Sequence, residues 1–342
     1  MTPLPTLPTR KLGRTGLDVS VLGFGSAPMG DLYRMLDDAT AIATAEAAIA
    51  AGVTLFDTAP LYGQGLAEHR LGTALRRSAK TTVVVQTKVG RLLVPAPNGR
   101  STSPGYIGGH AFDVVHDYSY DATLRSIEHS LHRLGRPSID TVLIHDADAW
   151  THGPIEGPKR FAEAMAGAYR ALDRLRGDKT IRGIGIGLND PVYAARYLRE
   201  GDFDCLLLAG RYSLLEQPAL DEVLPLAAAK TIGVMLGGVF NSGILATGAV
   251  PGAKYNYADA PPAILARVRN IERVCASHRV PLPTAALHFC LGAPAVSSLV
   301  LGAVTPAEVM SNVAAFSTRV PAGLWTDLKG EGLLGADVPT PL

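Results

Sequence analysis

Val53-Thr54-Leu55-Phe56-Asp57-Thr58-Ala59-Pro60-Leu61-Tyr62-Gly63 opens on a short apolar, β-favouring run. Such a run marks a strand buried on both faces in a parallel sheet. Asp57 stands where the run ends, and Tyr62 follows on the next loop, ahead of Gly63 and Gly65. A carboxylate at the mouth of a buried strand, with a phenol just beyond it, is how an α/β protein builds a site at the open end of its sheet. Two plainer roles stay open at this point: Asp57 as a helix cap and Tyr62 as a packing lid.

Outward from this stretch, strands and helices alternate. Before it, Arg14-Thr15-Gly16 signals a hairpin over 9–20, and a strand is predicted from Val19 to Gly25. A helix follows from Asp38 to Ala51, closed by Gly52 in the manner of a C′ residue. After it come a helix over Glu68–Arg77, a strand over Thr82–Lys88, and a helix over Tyr120–Leu134 with Gly135 behind it. The pattern continues with strands at Ile139–His145, Ile181–Gly187, Phe203–Ala209, Ile232–Leu236 and Ser298–Gly302. The helices paired with them are Phe161–Arg176, Val192–Glu200, Leu220–Lys230, Ile264–Ser277 and Pro306–Phe316. Eight strand–helix units are the number that closes a barrel. The expected fold class is therefore α/β: a (β/α)8 TIM barrel with an N-terminal β-hairpin cap, forming one domain over 1–342.

A doubly wound dinucleotide fold would carry G-x-G-x-x-G after its first strand. Gly23-Phe24-Gly25-Ser26-Ala27-Pro28 fails at the last position, and Gly183-Ile184-Gly185-Ile186-Gly187-Leu188 fails and comes midway through the chain. Two connections, 90–119 and 237–262, exceed what a simple loop needs. Both are Gly/Pro-rich and follow strands, so both overhang the C-terminal face, either as decoration or as lids over a substrate.

Composition narrows the function classes. The chain of 342 residues is 47% hydrophobic and 18% charged, enough for a large core. A formal net charge of +1 argues against nucleic acid or an anionic membrane as the main partner. Cys205, Cys275 and Cys290 lie far apart without metal-ligand spacing, so no metal is expected, and a reduced, cytoplasmic protein is. Met1 to Pro8 has no apolar h-region, so no secretory signal is expected, and no apolar run is long enough to cross a bilayer. The sequence specifies no oligomeric state.

Two further polar residues join the first pair. Lys88 ends an apolar strand, where an ammonium is costly unless a carboxylate pairs with it. His145 ends Thr141-Val142-Leu143-Ile144, where it suits either a hydrogen-bonded core or a catalytic role. All four follow strands two, three and four, the source of catalytic groups in barrels.

With Phe56-Asp57-Thr58-Ala59, Tyr62-Gly63, Thr87-Lys88, Ile144-His145 and Tyr212-Ser213-Leu214-Leu215, the sequence resembles the aldo-keto reductase superfamily from about Arg10 to about Phe316. Gly25 to Tyr33, His145-Asp146-Ala147-Asp148 and Asn241-Ser242-Gly243-Ile244-Leu245 most resemble its sugar dehydrogenase branch. That branch includes D-threo-aldose (L-fucose) and L-galactose 1-dehydrogenases and a related pyridoxal 4-dehydrogenase.

The resemblance implies oxidation of an aldose at C1 to the lactone with a nicotinamide cofactor; NAD is expected over NADP because no lysine or arginine occurs between Val300 and Thr318, and Val304 and Glu308 align with the positions where NADP-using members carry basic residues. L-fucose, D-arabinose or L-galactose would be the substrate, with pyridoxal going to 4-pyridoxolactone as the alternative. It implies Tyr62 as the proton-transfer group, a Lys88 ammonium favouring its phenolate, Asp57 holding that ammonium, and His145 orienting the substrate oxygen. Hydride transfer is the cofactor's own chemistry. For the cofactor it implies Asp57, Asn189 on the carboxamide, Tyr212 stacked on the nicotinamide, Phe240, Asn241, Ser242, Gly243 and Leu245 around the pyrophosphate, and Gly302, Val304, Glu308 and Asn312 at the adenosine end. The sequence departs from the family pattern at Gly187-Leu188-Asn189 and at Ala209, where many relatives have Gln. Tyr33 and Trp150 join Tyr62 and His145 as substrate-pocket candidates. The same superfamily contains cofactor-binding regulatory channel subunits, a second class of function in which the barrel senses redox state and turns over little.

Overall fold

The computed structural model describes residues 7–78, 81–97 and 105–341. Eight parallel strands close into a barrel in chain order: β1 (Leu22–Gly25), β2 (Leu55–Asp57), β3 (Val84–Val89), β4 (Thr141–His145), β5 (Gly183–Leu188), β6 (Cys205–Ala209), β7 (Gly233–Gly237) and β8 (Val296–Gly302). β8 pairs with β1 to close it, Val300 opposite Gly23. Leu55, Val84, Leu143, Cys205, Leu207, Met235 and Val300 fill the interior, and Leu12 and Val19 of the hairpin pack onto them from below. A Leu or Val taken fully out of water there contributes about 1.5–3 kcal/mol. The hairpin, Thr9–Lys11 against Asp18–Ser20, thus plugs the N-terminal end and leaves the C-terminal end as the open mouth.

The expected strand Val19–Gly25 is in fact two pieces. Ser20 turns the chain, its hydroxyl donating to the Leu22 carbonyl at 2.6 Å, so Val19 belongs to the hairpin and only Leu22–Gly25 to the barrel. The helix expected over Phe161–Arg176 is likewise broken, into Ala149–Ala166 and Ala168–Gly177. Gly167 makes the break: a Cβ there would sit 2.5 Å from the Tyr118 carbonyl, which accepts from Ala168 N–H. A helix over Leu282–Leu291 went unanticipated and lies between Pro262–Ser277 and β8, packed on the barrel. A further helix, Ala322–Gly330, packs on Pro262–Ser277.

The two long connections are structured. The first carries an antiparallel pair, Arg91–Pro95 with Phe112–His116; residues 98–104 of it, including Pro104, lie outside the described residues, as do Met1 to Thr6. The second carries a short helix, Ile244–Thr247, and a small ladder, Lys254–Tyr255 with Ala258–Asp259. No helix among the described residues is long and apolar enough to cross a membrane. The three cysteines are free and buried.

Candidate active site

Strand register brings the ionisable residues together. Asp57 pairs with Gln86 across β2 and β3, and Lys88, two residues further along β3, points to the same side. Lys88 Nζ donates to Asp57 Oδ2 at 2.7 Å and Oδ1 at 2.8 Å, to the Thr58 carbonyl at 2.9 Å and to the Tyr62 hydroxyl at 3.0 Å. Gln86 Nε2 donates to Asp57 Oδ1 at 2.8 Å. The ammonium is 1% exposed, and three oxygen-bearing neighbours take its protons, which is what burial of such a charge demands. Tyr62 is placed by the loop behind it. Gly63, at φ +61°, passes so near Gly30 that a Cβ would meet the Gly30 carbonyl at 2.5 Å.

His145 follows from the end of β4, its ring edge-on to that of Tyr62 with centroids 6.0 Å apart. Its Nδ1 is buried and has no partner among the described residues. The first long connection closes over this group. Tyr106 stacks on Tyr62 at 6.1 Å, and His110 N–H donates to the Gly63 carbonyl, so this segment covers the site as a lid does.

The electrostatics correct one expectation. Burial, and next the negative charge of Asp57, hold the Tyr62 phenol well above its ordinary range. Because Asp57 lies against the same ammonium, Lys88 presents Tyr62 with one end of a near-neutral pair rather than a free positive charge. Burial lowers Lys88 while Asp57 opposes that shift. Burial first, then Arg91 and Lys88, push His145 well below the usual imidazole range, so it is neutral.

The other candidates fall into groups. Asn189 Nδ2 faces the Ala209 carbonyl and the Tyr257 hydroxyl, both at 3.3 Å. Tyr33 and Trp150 stand exposed on the rim, and the Arg211 guanidinium lies 4.6 Å from the centre of the Trp150 ring, covering one face. Tyr212 requires correction: it is 1% exposed and stacked on Phe289 at 5.2 Å, so it presents no open face to a cofactor ring. Leu245 also requires correction, since its side chain is buried and its N–H donates to the Phe240 carbonyl.

The remainder of that loop suits an anion. Asn241, Ser242 and Gly243 are successive left-handed residues at φ +46°, +60° and +101°. Ser242 and Gly243 line a cavity of about 220 Å³ with Thr247 and Lys254. Asn241 donates to Glu216 while its own Oδ1 is buried without a partner among the described residues, an unmet acceptor that a ligand's hydroxyl or amide N–H, not its phosphate, would satisfy. These residues fit a dinucleotide, with Phe240 beside them. At the end of β8, Gly302 is exposed, Val304 N–H donates to Glu308 Oε2 at 2.9 Å, and Asn312 lines a small cleft with Ala303.

Residues that sequence reasoning missed complete the picture. Gln86 supports Asp57. Arg91 pairs with Asp146 at 2.9 Å, and the Tyr118 hydroxyl donates to the His145 carbonyl at 2.9 Å. Arg211 ties the rim through the Asn189 carbonyl and Asn256. Asp146 directly follows His145 and Arg91 stands three residues after Lys88, and that closeness was the available signal.

A barrel plugged below, with a buried lysine, carboxylate and phenol in contact at its mouth, defines a barrel oxidoreductase site. Residues 21–330 match the model of the Aldo/keto reductase family, and the chain belongs to that family. It is 42% identical to a pyridoxal 4-dehydrogenase of Microbacterium luteolum over 95% of this chain and 97% of that protein. It is 38% identical to a D-threo-aldose 1-dehydrogenase of a Pseudomonas species, again over 95% and 97%. Among solved structures it resembles an aldo-keto reductase from Bacillus halodurans in its holo form, with a TM-score of 0.71, 25% identity, and coverage of 97% and 98%. The branch resemblance read from the sequence thus holds. The chain is an oxidoreductase acting on CH–OH groups, of a family that uses nicotinamide cofactors.

Proposed function

We propose that the protein oxidises an aldose of the L-fucose, D-arabinose or L-galactose type at C1, with NAD as cofactor, giving the lactone. The observation that carries the choice of a neutral sugar is the state of the two arginines at the mouth. Arg91 is paired with Asp146 at 2.9 Å and Arg211 faces Glu216 at 3.5 Å, so each guanidinium charge is already matched by a carboxylate and leaves no net positive charge to draw an anionic ring substituent. Pyridoxal is the second reading, favoured by the 42% identity to a pyridoxal 4-dehydrogenase. It shares the decisive chemistry, since both substrates present a cyclic hemiacetal.

NAD, when bound, supplies the hydride acceptor. Asn189, the Phe240–Gly243 loop, Gly302, Val304, Glu308 and Asn312 would hold it, and Asp57 secures Lys88. Tyr62 takes the hydroxyl proton in its ionised form, a minor species near neutrality because burial keeps the phenol protonated. Lys88, 3.0 Å away, donates to the phenolate oxygen as it forms. His145 meets the reacting oxygen from the other side, and Tyr106 keeps water off Tyr62. Trp150 offers its open face to the sugar ring.

Steady-state assays with L-fucose, D-arabinose, L-galactose and pyridoxal test this. The highest kcat/KM is expected with an aldose. A preference for pyridoxal would move the assignment to the second reading, and negligible turnover with tight cofactor retention would place the protein with the regulatory subunits.

A further inference from the structure

The second long connection carries a two-residue hairpin near its end. Lys254–Tyr255 pairs with Ala258–Asp259, and the turn between them is Asn256-Tyr257, at φ +48° and +65°. Two successive left-handed residues make the tight turn that matches the twist of a hairpin, and its favoured sequence is Asn-Gly. Asn256 suits its place. Tyr257 stands where glycine is favoured, so its Cβ meets the steric cost that left-handed backbone puts on a bulky residue. Such a residue persists only where its surroundings hold it.

Both turn residues are held. Arg211 Nη2 donates to Asn256 Oδ1 at 3.2 Å, and Tyr257 N–H donates to Ser242 Oγ at 3.0 Å. The second of these ties uses only the backbone of Tyr257, and glycine would make it equally well. The ring is 57% exposed, so burial in a core does not account for it either. Its hydroxyl reaches the barrel mouth, where it accepts from Asn189 Nδ2, just past β5, at 3.3 Å. Burial raises Tyr33, Tyr62 and Tyr106 first, and the Tyr257 oxygen lies close enough to add to the shift in all three. The phenol thus stands among the side chains that surround Tyr62. In its bond with Asn189 the hydroxyl is the acceptor, and among the described residues its own proton goes to no partner. An aldose carries ring and hydroxyl oxygens that accept such a proton.

We propose that Tyr257 is a specificity-determining residue: the strained turn presents its phenol at the mouth, Asn189 orients the hydroxyl, and the hydroxyl donates to a sugar oxygen remote from the reacting carbon. This role rests on the reading of the substrate as an aldose. The proton lost in the oxidation is a different one and leaves through Tyr62.

Tyr257→Phe and Tyr257→Gly test the role through three measurements: steady-state kinetics with L-fucose, D-arabinose or L-galactose and NAD, calorimetric binding of the same sugars to NADH-loaded protein, and Tm. Phe removes the hydroxyl alone. KM and Kd for the sugar should rise roughly three- to ten-fold, the worth of one hydrogen bond between neutral groups. kcat should change little, because the contact is made in ground and transition state alike. Gly removes the ring and relaxes the turn, so sugar affinity should fall at least as far while Tm holds or rises. A tyrosine that served only the hairpin would do the reverse, losing Tm and keeping sugar affinity. Unchanged KM and Kd in Tyr257→Phe overturn the proposal, as does a lower Tm with unchanged affinity in Tyr257→Gly. If Tyr257→Gly does not fold, Tyr257→Phe alone decides. Turnover of an aldose that neither variant alters leaves the proposed function standing without Tyr257. Sugar binding that Tyr257→Phe weakens, without turnover in wild type, sinks the proposed function and leaves the role of Tyr257. Failure of wild type to bind any of the three sugars overturns both.

Discussion

Lys88 shares its three protons among both carboxylate oxygens of Asp57, at 2.7 and 2.8 Å, the Thr58 carbonyl and the Tyr62 hydroxyl. Tyr62 therefore sits beside a neutral pair in a buried setting, and its pKa rises. The sign is simple: an acid whose pKa is raised stays protonated longer. In the cofactor-free protein, Tyr62 is expected to remain a phenol through pH 10. The ultraviolet difference between wild type and Tyr62→Phe should show no phenolate below that pH. A phenolate appearing between pH 7 and 8 would contradict the electrostatic account.

Tyr62→Phe removes only the proton-transfer oxygen, so turnover should be abolished with NAD affinity nearly unchanged. Activity within a few-fold of wild type would remove Tyr62 from its role.

Lys88→Met should also abolish turnover, and it carries a second signature. It leaves the Asp57 carboxylate buried with Gln86 as its remaining side-chain partner, and orphaning one member of a buried pair costs about 3–5 kcal/mol. Urea unfolding should show that loss, while Tyr62→Phe, which leaves the pair intact, should not. Equal stability of Lys88→Met and wild type would mean the pair is not closed as described.

Asp148 caps the helix Ala149–Ala166 through Thr151 N–H at 2.8 Å. Burial first, then the charge of Asp146, raises its carboxyl from 3.8 to about 6. Because the folded value lies above the unfolded one, its stabilising contribution is fully present below about pH 4 and is lost as pH rises through about 6. A shift of this size corresponds to about 3 kcal/mol. Asp148→Asn keeps a capping oxygen and removes the charge, so Tm should rise at pH 8 and stay unchanged at pH 4. A gain of the same size at both pH values would show that ionisation is not the cause.

NAD should be preferred to NADP. On the family resemblance, Val304 and Glu308 would stand where NADP-using members place basic residues, and no lysine or arginine occurs between Val300 and Thr318. Glu308 also accepts the Val304 N–H, so a 2′-phosphate would meet a carboxylate fixed in place. One missing charge-assisted contact costs about 1.5–3 kcal/mol, roughly ten- to over a hundred-fold in affinity. Val304→Lys with Glu308→Arg should shift the kcat/KM ratio toward NADP. An unaltered ratio, or equal use of both cofactors by wild type, would mean that cations come from another loop.

Much of this was legible in the sequence where the local signal and the fold agree. Tyr120–Leu134 carries its Ser119 cap and Gly135 stop in plain view. Asp57, Lys88 and His145 stand out because each ends an apolar strand. Leu282–Leu291 was hidden because it is apolar on nearly every side, with Pro281 as its cap and Pro283 in its first turn, so no amphipathic stripe marks it. Gly167 breaks a helix through contact with a carbonyl 49 positions away in sequence, at Tyr118, which no local pattern reports. Tyr212 faces inward because Phe289, on the unanticipated helix, receives it. The Arg91–Asp146 brace depends on a strand end and a hairpin meeting in space, and neither segment announces the other.

Oxidation at the anomeric carbon is the central claim, and isotope transfer tests it most directly. With [1-²H]-L-fucose and NAD, the deuterium should appear in the reduced cofactor, and the product should be the lactone or its hydrolysed acid. Deuterium retained in the sugar while NADH forms would place the oxidation at another hydroxyl and contradict the account.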